Sequence, residues 1–196
     1  MELDIAYESD RGCIIVAAAL IDQVLEEAIR THIRKFLVSK SVEKSLFDMS
    51  GPISNFSSKI LICRSFGIID QITYEDLMIL RKLRNSFAHG TEEASFTAEA
   101  TKQKIRSMHF VKKAMAEHNI KRYDIAGEKK VLGTKERAIQ QWELQAKGYL
   151  LYDKSMFCIA VKDIHIHILK LQLENFANTI KSTLHEEAMK NINTQP

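Results

Sequence analysis

Apolar positions recur at helical spacing over most of the chain. Residues 10 to 38 keep this spacing and predict a long first helix. The same periodicity predicts further helices at about 55 to 66, 74 to 89, 97 to 118 and 134 to 150. The 196 residues contain only 2 prolines and 7 glycines. So few helix breakers favour long helices over a fold of strands and turns.

The last long segment, residues 155 to 189, includes the stretch "DIHIHILKLQL", in which apolar and polar residues alternate as they do in a strand. The segment runs for about 30 residues without Gly or Pro, which is far longer than a typical strand. We therefore predict a helix, with two apolar stripes on opposite sides. The first stripe holds Ile164, Ile168 and Leu171, and the second holds Ile166, Leu169 and Leu173. A helix that is apolar on two sides lies at the centre of a bundle or at a subunit interface.

Local signals mark the ends of the second and third helices. Gly51-Pro52 predicts a turn, after which Ser54 or Asn55 caps the second helix, and Gly67 ends it. Thr73, followed three residues later by Asp76, resembles a capping box and places the start of the third helix near Tyr74. Gly90 ends that helix.

These signals together predict an all-α bundle of about five or six helices in a single domain spanning residues 1 to 196. We expect the first and last long helices to pack against the third. Residues 119 to 133 are polar and basic and contain two glycines, so they predict a loop that elaborates the bundle.

Composition limits the protein's class more than its function. Hydrophobic residues make up 45% and charged residues 27%, which is typical of a globular protein. No apolar run approaches the roughly 18 residues of a membrane span, and the start lacks the pattern of a signal peptide. Cys13, Cys63 and Cys158 are scattered in apolar runs. We therefore expect a cytoplasmic protein with reduced, buried thiols and no association with a membrane.

Positive charge is concentrated in one part of the sequence. The net charge is only +3, which permits nucleic-acid binding without requiring it. Residues 102 to 137, however, are rich in Lys and Arg with few acidic residues between them. Within this stretch the predicted RNA-binding residues are Lys121, Arg122, Lys129 and Lys130.

The sequence "LRKLRNSFAHG", residues 80 to 90, holds the candidate chemistry. Histidine moves protons near neutral pH, and the planar guanidinium of arginine stabilises charge that develops on a phosphate. His89 and Arg84 could therefore cleave RNA without metal, with Asn85 in support. Helical spacing predicts that Arg84 is partly buried at the edge of the apolar arc.

A structural alternative explains the same residues. His89 could be a cation at the negative end of the helix dipole. Arg84 could pair with Asp22 or Glu26 inside the bundle.

The sequence predicts neither a metal site nor a cofactor site. His165 and His167 point about 200° apart on a helix, so the pair cannot close a metal site without ligands from elsewhere. Gly127 and Gly133 stand alone and form no phosphate-binding loop. We expect neither metal nor cofactor.

The sequence "RNSFAH" resembles the R-N-x-x-x-H signature of HEPN domains, which are helical bundles found in many toxin and antiphage defence ribonucleases. That resemblance implies a homodimer in which two Arg/His pairs face each other and cleave RNA through its own 2′-hydroxyl. Arg84 and His89 would then be catalytic, and Asn85 would support them.

A wider pattern over residues 12 to 100 is similar to the mannitol operon repressor family. It consists of "VAAALIDQVLEEAI", the Gly-Pro turn and the helix that ends in "RKLRNSFAHG", with a weaker echo at 156 to 185. This resemblance implies an all-α regulator that works through protein contacts. The chain has no helix-turn-helix, zinc finger or RNP-type motif, which agrees with that implication.

Two functions therefore remain open. The intact motif and the basic stretch favour a metal-independent endoribonuclease, a toxin or antiphage effector held in check by an antitoxin or other regulatory protein. The alternative is a non-enzymatic transcriptional regulator that resembles the mannitol operon repressor.

Overall fold

The computed structural model describes residues 4–90, 95–117 and 135–193, with the side chains of the last segment from 153 to 184. Within these ranges, a short 3-10 helix, Asp4–Tyr7, precedes seven α-helices. These are α1 Asp10–Arg34, α2 Lys40–Phe47, α3 Phe56–Ser65, α4 Gln71–Ala88, α5 Glu99–Ser107, α6 over 109–117 and α7 Lys135–Asn193. No strand occurs within these described ranges, and the prediction of an all-α bundle is confirmed.

Helix α1 is the centre of the bundle. Ser9 caps its first turn by accepting a hydrogen bond from the Gly12 backbone N–H at 3.0 Å. Its buried face consists of Cys13, Ile14, Ala17, Ala18, Ile21, Leu25, Ala28 and Ile29. This face packs against α3, α4 and α7, so the first helix has the helical partners that its apolar stripe requires.

The predicted first helix ends earlier than its periodicity suggests. Leu37 adopts a left-handed conformation with φ of 53°, and this breaks the run before α2 begins. Gly51 then approaches the end of α2 so closely that a Cβ would lie 2.5 Å from the Leu46 carbonyl oxygen. The turn therefore requires glycine at this position.

The predicted ends of α3 are confirmed. The Asn55 side chain accepts a hydrogen bond from the Ser58 backbone N–H at 2.9 Å, and Gly67 ends the helix with φ of 65°. The start of α4 was predicted wrongly. Asp70 is the N-cap and accepts from the Thr73 backbone N–H at 2.8 Å, so α4 begins at Gln71 rather than Tyr74.

The predicted helix at 97 to 118 is divided into α5 and α6 by a tertiary contact. Asp76 of α4 is buried and accepts hydrogen bonds from the backbone N–H groups of His109 and Phe110, at 2.7 and 2.9 Å. This carboxylate caps the start of α6 and holds it apart from α5. Burial raises the pKa of Asp76, and the two hydrogen bonds only partly offset that effect.

Helix α7 joins two predicted helices, 134 to 150 and 155 to 189, into one. Ile164 and Ile168 of the first predicted stripe are buried, while Ile166, Leu169 and Leu173 of the second are exposed. The helix packs mainly against α1 and α5 and reaches the cap of α4 through His167, whose Nε2 lies 2.8 Å from the Asp70 carboxylate. It therefore packs less on the third predicted helix than expected.

The cysteine thiols occupy the core or its edge. Cys13 and Cys63 are buried, and Cys158 is half-buried. The sulfur atoms of Cys13 on α1 and Cys158 on α7 lie 3.7 Å apart as free thiols, a proximity that their distant sequence positions did not predict. Burial raises the pKa of Cys63 to about 12, so this thiol stays protonated at neutral pH.

None of the helices in the described segments is long and apolar enough to cross a membrane.

Candidate functional site

The motif predicted from sequence lies at the end of α4. Leu77, Leu80, Leu83 and Phe87 bury one face of this helix in the core. Arg84 and Asn85 are both exposed, and Arg84 Nη1 donates a hydrogen bond to Asn85 Oδ1 at 3.2 Å. The prediction that Arg84 is partly buried is wrong, because the arc beside Leu80 faces an open cavity rather than the packed core.

His89 occupies the C-cap of α4 and is exposed. Its backbone N–H donates to the Asn85 carbonyl oxygen at 3.3 Å, and Gly90 ends the helix with φ of 66°. Arg11 of α1 supplies the cation at this helix end, since its Nη2 donates to the Ala88 carbonyl oxygen at 2.9 Å. The structural alternative had assigned that charge to His89.

A cavity of about 500 Å³ lies between α1, the start of α3 and α4. Ile15, Ala18 and Ala19 of α1 contribute apolar surface to it. Its polar lining includes Asp22, Ser54, Asn55, Ser57, Arg81 and Arg84. Asn85 also lines the cavity and His89 does not, so the structure places two of the three motif residues together at this site.

Arg81 is the second arginine of the cavity. Its Nη1 donates to the Ser57 hydroxyl at 2.6 Å, which ties α4 to the first turn of α3. Its Nε is buried and has no hydrogen-bond partner among the described residues. Neither Arg81 nor Arg84 has a carboxylate within 4.0 Å in the part of the chain that the structure describes.

Lys59, not Arg84, pairs with the acidic residues of α1. Its ammonium group is buried and donates to Asp22 Oδ2 and Glu26 Oε2, both at 2.8 Å. Arg30 binds the other oxygen of Glu26 at 2.8 Å and also binds Glu43 of α2. The structural alternative therefore named the correct acidic residues and the wrong cation.

This ion pairing shifts the pKa values of Lys59 and Glu26 in the directions that favour their charged forms. Burial by itself would lower the pKa of Lys59, but hydrogen bonds with Asp22 and Glu26 outweigh it and raise the pKa. Burial would likewise raise the pKa of Glu26, but hydrogen bonds from Lys59 and Arg30 outweigh it and lower the pKa. The other oxygen of Asp22, Oδ1, is buried beside the cavity and has no partner among the described residues.

The predicted RNA-binding residues Lys121, Arg122, Lys129 and Lys130 lie outside the described residues, as does the predicted loop at 119 to 133. Part of the basic stretch is described. Arg106 forms a two-pronged ion pair with Asp153 of α7, at 2.7 and 2.8 Å, and Lys102 lies 4.0 Å from Glu99. These two cations have structural partners.

His167, near the middle of α7, connects this helix to its neighbours. His167 contacts the Phe110 ring, with 5.4 Å between ring centroids, besides binding Asp70. Within the described ranges, no three His, Cys, Asp or Glu side chains are grouped closely enough to hold a metal ion.

The sequence model of the Mannitol repressor family matches residues 5–192. The chain belongs to that family. The resemblance seen at residues 12 to 100 is therefore confirmed, and the match extends through most of α7.

Two curated relatives are the mannitol operon repressors of Escherichia coli strains K12 and O6:H1 (CFT073). Each is 27% identical over 108 residues, which cover 54% of this chain. The alignment spans 55% of each relative's own length.

A solved structure has a similar fold. A chain in the X-ray structure of the MtlR–HPr complex from Escherichia coli matches with a TM-score of 0.56 at 18% identity. The match covers 81% of this chain and 88% of that chain. At this identity the likeness concerns the fold alone.

The endoribonuclease prediction is wrong, together with the toxin and antiphage roles attached to it. The chain belongs to the Mannitol repressor family, and the alternative prediction of a regulator fits that membership better. The HEPN-like character of the motif stays a prediction, as does any role of Arg84, Asn85 and His89 in chemistry. The error arose because a short Arg/His spacing outweighed the longer pattern that included it.

Sequence reasoning missed the cavity. Asp22, Ser57 and Arg81 come from three helices, and no local spacing relates them. The only available signal was that Arg81 and Asn85 share one arc of α4, while Arg84 lies on the neighbouring one.

Proposed function

We propose that this protein is a transcriptional regulator that acts through protein contacts and not as an enzyme. The family match over residues 5–192 is the observation that carries this proposal. A cytoplasmic location, predicted from the sequence, suits that role. The proposal extends to regulation of a sugar-alcohol operon, as the names of the curated relatives suggest.

We further propose an HPr-type protein as the partner. The similar fold from Escherichia coli was solved as part of an MtlR–HPr complex. A regulator without a DNA-reading motif needs a second protein to connect it to its signal or to transcription. Binding to HPr is the simplest contact of that kind for a member of this family.

An exposed apolar stripe on α7 supports self-association. Ile166, Leu169, Leu173, Phe176 and Ile180 are exposed on α7 and follow one another at alternating steps of three and four residues. We name these five residues the α7 seam. Such spacing forms the contact stripe of a coiled coil. The seam covers about two heptads, and Leu173 at its centre is 69% exposed.

The proposed occupant of the seam is a second copy of this chain. A two-fold axis would bring the same stripe of both copies together, so that each apolar residue gains a matching partner. This agrees with the homodimer predicted from the two-sided apolar pattern of α7. The HPr-type contact is proposed for another part of the surface.

Light scattering tests the dimer at micromolar concentration. We expect a mass twice the 22.4 kDa of one chain for the wild type. Leu173→Glu should give the monomer mass, because two carboxylates would be buried facing each other in the dimer. Lys181→Glu changes the charge of an exposed residue beside the seam and should leave the dimer intact. A monomeric wild type would overturn the proposed dimer.

A reporter fused to the operon for sugar-alcohol uptake tests the regulatory role. Deleting the gene should change reporter expression, and supplying wild-type protein should restore it. His89→Ala should restore it equally, because the proposed function uses no proton transfer. Unchanged expression on deletion would contradict the regulatory proposal for that operon.

A further inference from the structure

We propose that the cavity between α1, α3 and α4 binds a small phosphorylated polyol. Arg81 and Arg84 would bind the anionic group of the ligand. The other polar residues of the cavity would bind its hydroxyl groups. The proposal concerns a small-molecule site and stands independently of the protein partners proposed above.

The positive charge at the cavity is the first observation. Arg81 and Arg84 are one helical turn apart on α4 and both line the cavity. Like charges at this spacing repel each other, and no carboxylate lies within 4.0 Å of either guanidinium in the described ranges. The planar forks of two arginines match the oxygens of a phosphate group. An anionic ligand would relieve the repulsion between the two arginines.

Unsatisfied polar atoms are the second observation. The Nε of Arg81 is a buried donor without an acceptor, and Asp22 Oδ1 is a buried acceptor without a donor, among the described residues. Buried polar atoms in folded proteins nearly always have partners. Both atoms belong to residues that line the cavity, so a ligand bound there would lie next to the two unsatisfied groups.

The remaining lining favours hydroxyl groups over an apolar body. Ser54, Asn55, Ser57 and Asn85 present hydroxyl and amide groups that both donate and accept hydrogen bonds. A carboxylate such as Asp22 repels a phosphate but accepts a hydrogen bond from a hydroxyl. The ligand's anionic end therefore belongs beside the arginines, and its hydroxyl-bearing end belongs beside Asp22.

The size of the cavity suits a sugar-sized molecule. Its volume of about 500 Å³ falls within the range of about 300 to 1,000 Å³ that is usual for small-molecule sites. The apolar surface from Ala18 and Ala19 can contact the carbon chain of such a ligand.

Isothermal titration calorimetry with three probes tests the proposal. The probes are sorbitol 6-phosphate, sorbitol and inorganic phosphate. We expect saturable binding of sorbitol 6-phosphate, with inorganic phosphate at least about tenfold weaker and sorbitol weaker still, because each part of the ligand supplies separate contacts. Sorbitol 6-phosphate should also raise the unfolding temperature.

Two exposed cations of α4 provide a matched pair of variants. Arg84→Gln should weaken binding of sorbitol 6-phosphate at least about tenfold, the factor expected for one charge-assisted hydrogen bond. Lys82→Gln removes one charge from the same helix away from the cavity and should change the affinity less than about twofold. Both residues are exposed, so both variants should fold.

Three results would overturn the proposal. The first is no saturable binding of sorbitol 6-phosphate by the wild type up to about 10 mM, where even weak millimolar sites are mostly filled. The second is an equal loss of affinity in the Arg84→Gln and Lys82→Gln variants, which would show only a general charge effect. The third is equal affinity for inorganic phosphate and sorbitol 6-phosphate, which would remove the role of the hydroxyl groups.

Discussion

Two groups of cations lie near Asp22, and they differ in their partners. Lys59 is buried and binds two carboxylates at 2.8 Å, both from α1. Arg81 and Arg84 face a cavity without a carboxylate within 4.0 Å among the described residues. The paired cation holds α3 against α1, whereas the unpaired arginines remain available to an anionic ligand. Pairing, rather than charge alone, therefore separates a structural cation from a candidate binding cation.

Replacing Lys59 should produce the largest loss of stability. Lys59→Met leaves Asp22 and Glu26 facing each other without their shared cation. Removing one partner of a fully buried ion pair costs about 3–5 kcal/mol, and the part exposure of both carboxylates reduces our expectation to about 2–3 kcal/mol. Urea unfolding monitored by circular dichroism measures this difference. Lys82→Met is the control and should change the free energy of unfolding by less than about 0.5 kcal/mol.

Acid should produce the next largest loss of stability, because it protonates carboxylates that bind Lys59. The pKa of Glu26 is lowered in the folded state, so its carboxylate contributes stability above its ordinary value of 4.5. This contribution is lost as pH falls through the lowered folded pKa. The free energy of unfolding should therefore decrease below pH 4.5, and the decrease should be shallower in Lys59→Met. Equal slopes in the two proteins would show that Lys59 does not set the pKa of Glu26.

Arg81→Met should have a smaller effect than Lys59→Met. The substitution loses the hydrogen bond to Ser57, worth about 1 kcal/mol, but also removes a buried donor that has no partner. These opposing effects predict a change of at most about 1 kcal/mol in the same urea experiment. A loss as large as that of Lys59→Met would mean that Arg81 is a structural cation too.

Arg84→Gln should have the smallest effect on stability. Arg84 is exposed, and its guanidinium donates a hydrogen bond to the neighbouring Asn85 side chain. We expect a change below about 0.5 kcal/mol in the free energy of unfolding. A larger loss would indicate that Arg84 supports the fold. Arg84 would then be a structural cation like Lys59 rather than a candidate binding cation.

Local signals predicted much of the fold. Gly67 was correctly predicted to end α3, and Asn55 is one of the two residues predicted to cap its start, because capping side chains and left-handed glycines act within a few residues. The start of α4 was missed because Asp70 and Thr73 are both good capping residues, and sequence gave no means of choosing between them.

Long-range contacts explain the features that sequence missed. The break between α5 and α6 depends on Asp76, which lies 33 residues before the backbone N–H it caps. Lys59 and Asp22 are separated by 37 residues. Neither relationship leaves a periodic signal, and the exposure of Arg84 depends on a cavity formed by three helices.

The motif also shows why short spacing misleads about function. Arg84 and Asn85 line the cavity, but His89 caps α4 outside that lining. A triplet that looks like one site in sequence is thus divided in the structure between a cavity and a helix end. The family match covers a far longer stretch, residues 5–192, and places the chain in the Mannitol repressor family.

Titration of the full chain with purified HPr from the same organism tests the central claim most directly. Isothermal titration calorimetry should show saturable binding with a fixed stoichiometry, and His89→Ala should bind with unchanged affinity because the proposed function uses no proton transfer. The absence of a binding signal for correctly folded protein would contradict a regulator that acts through this partner.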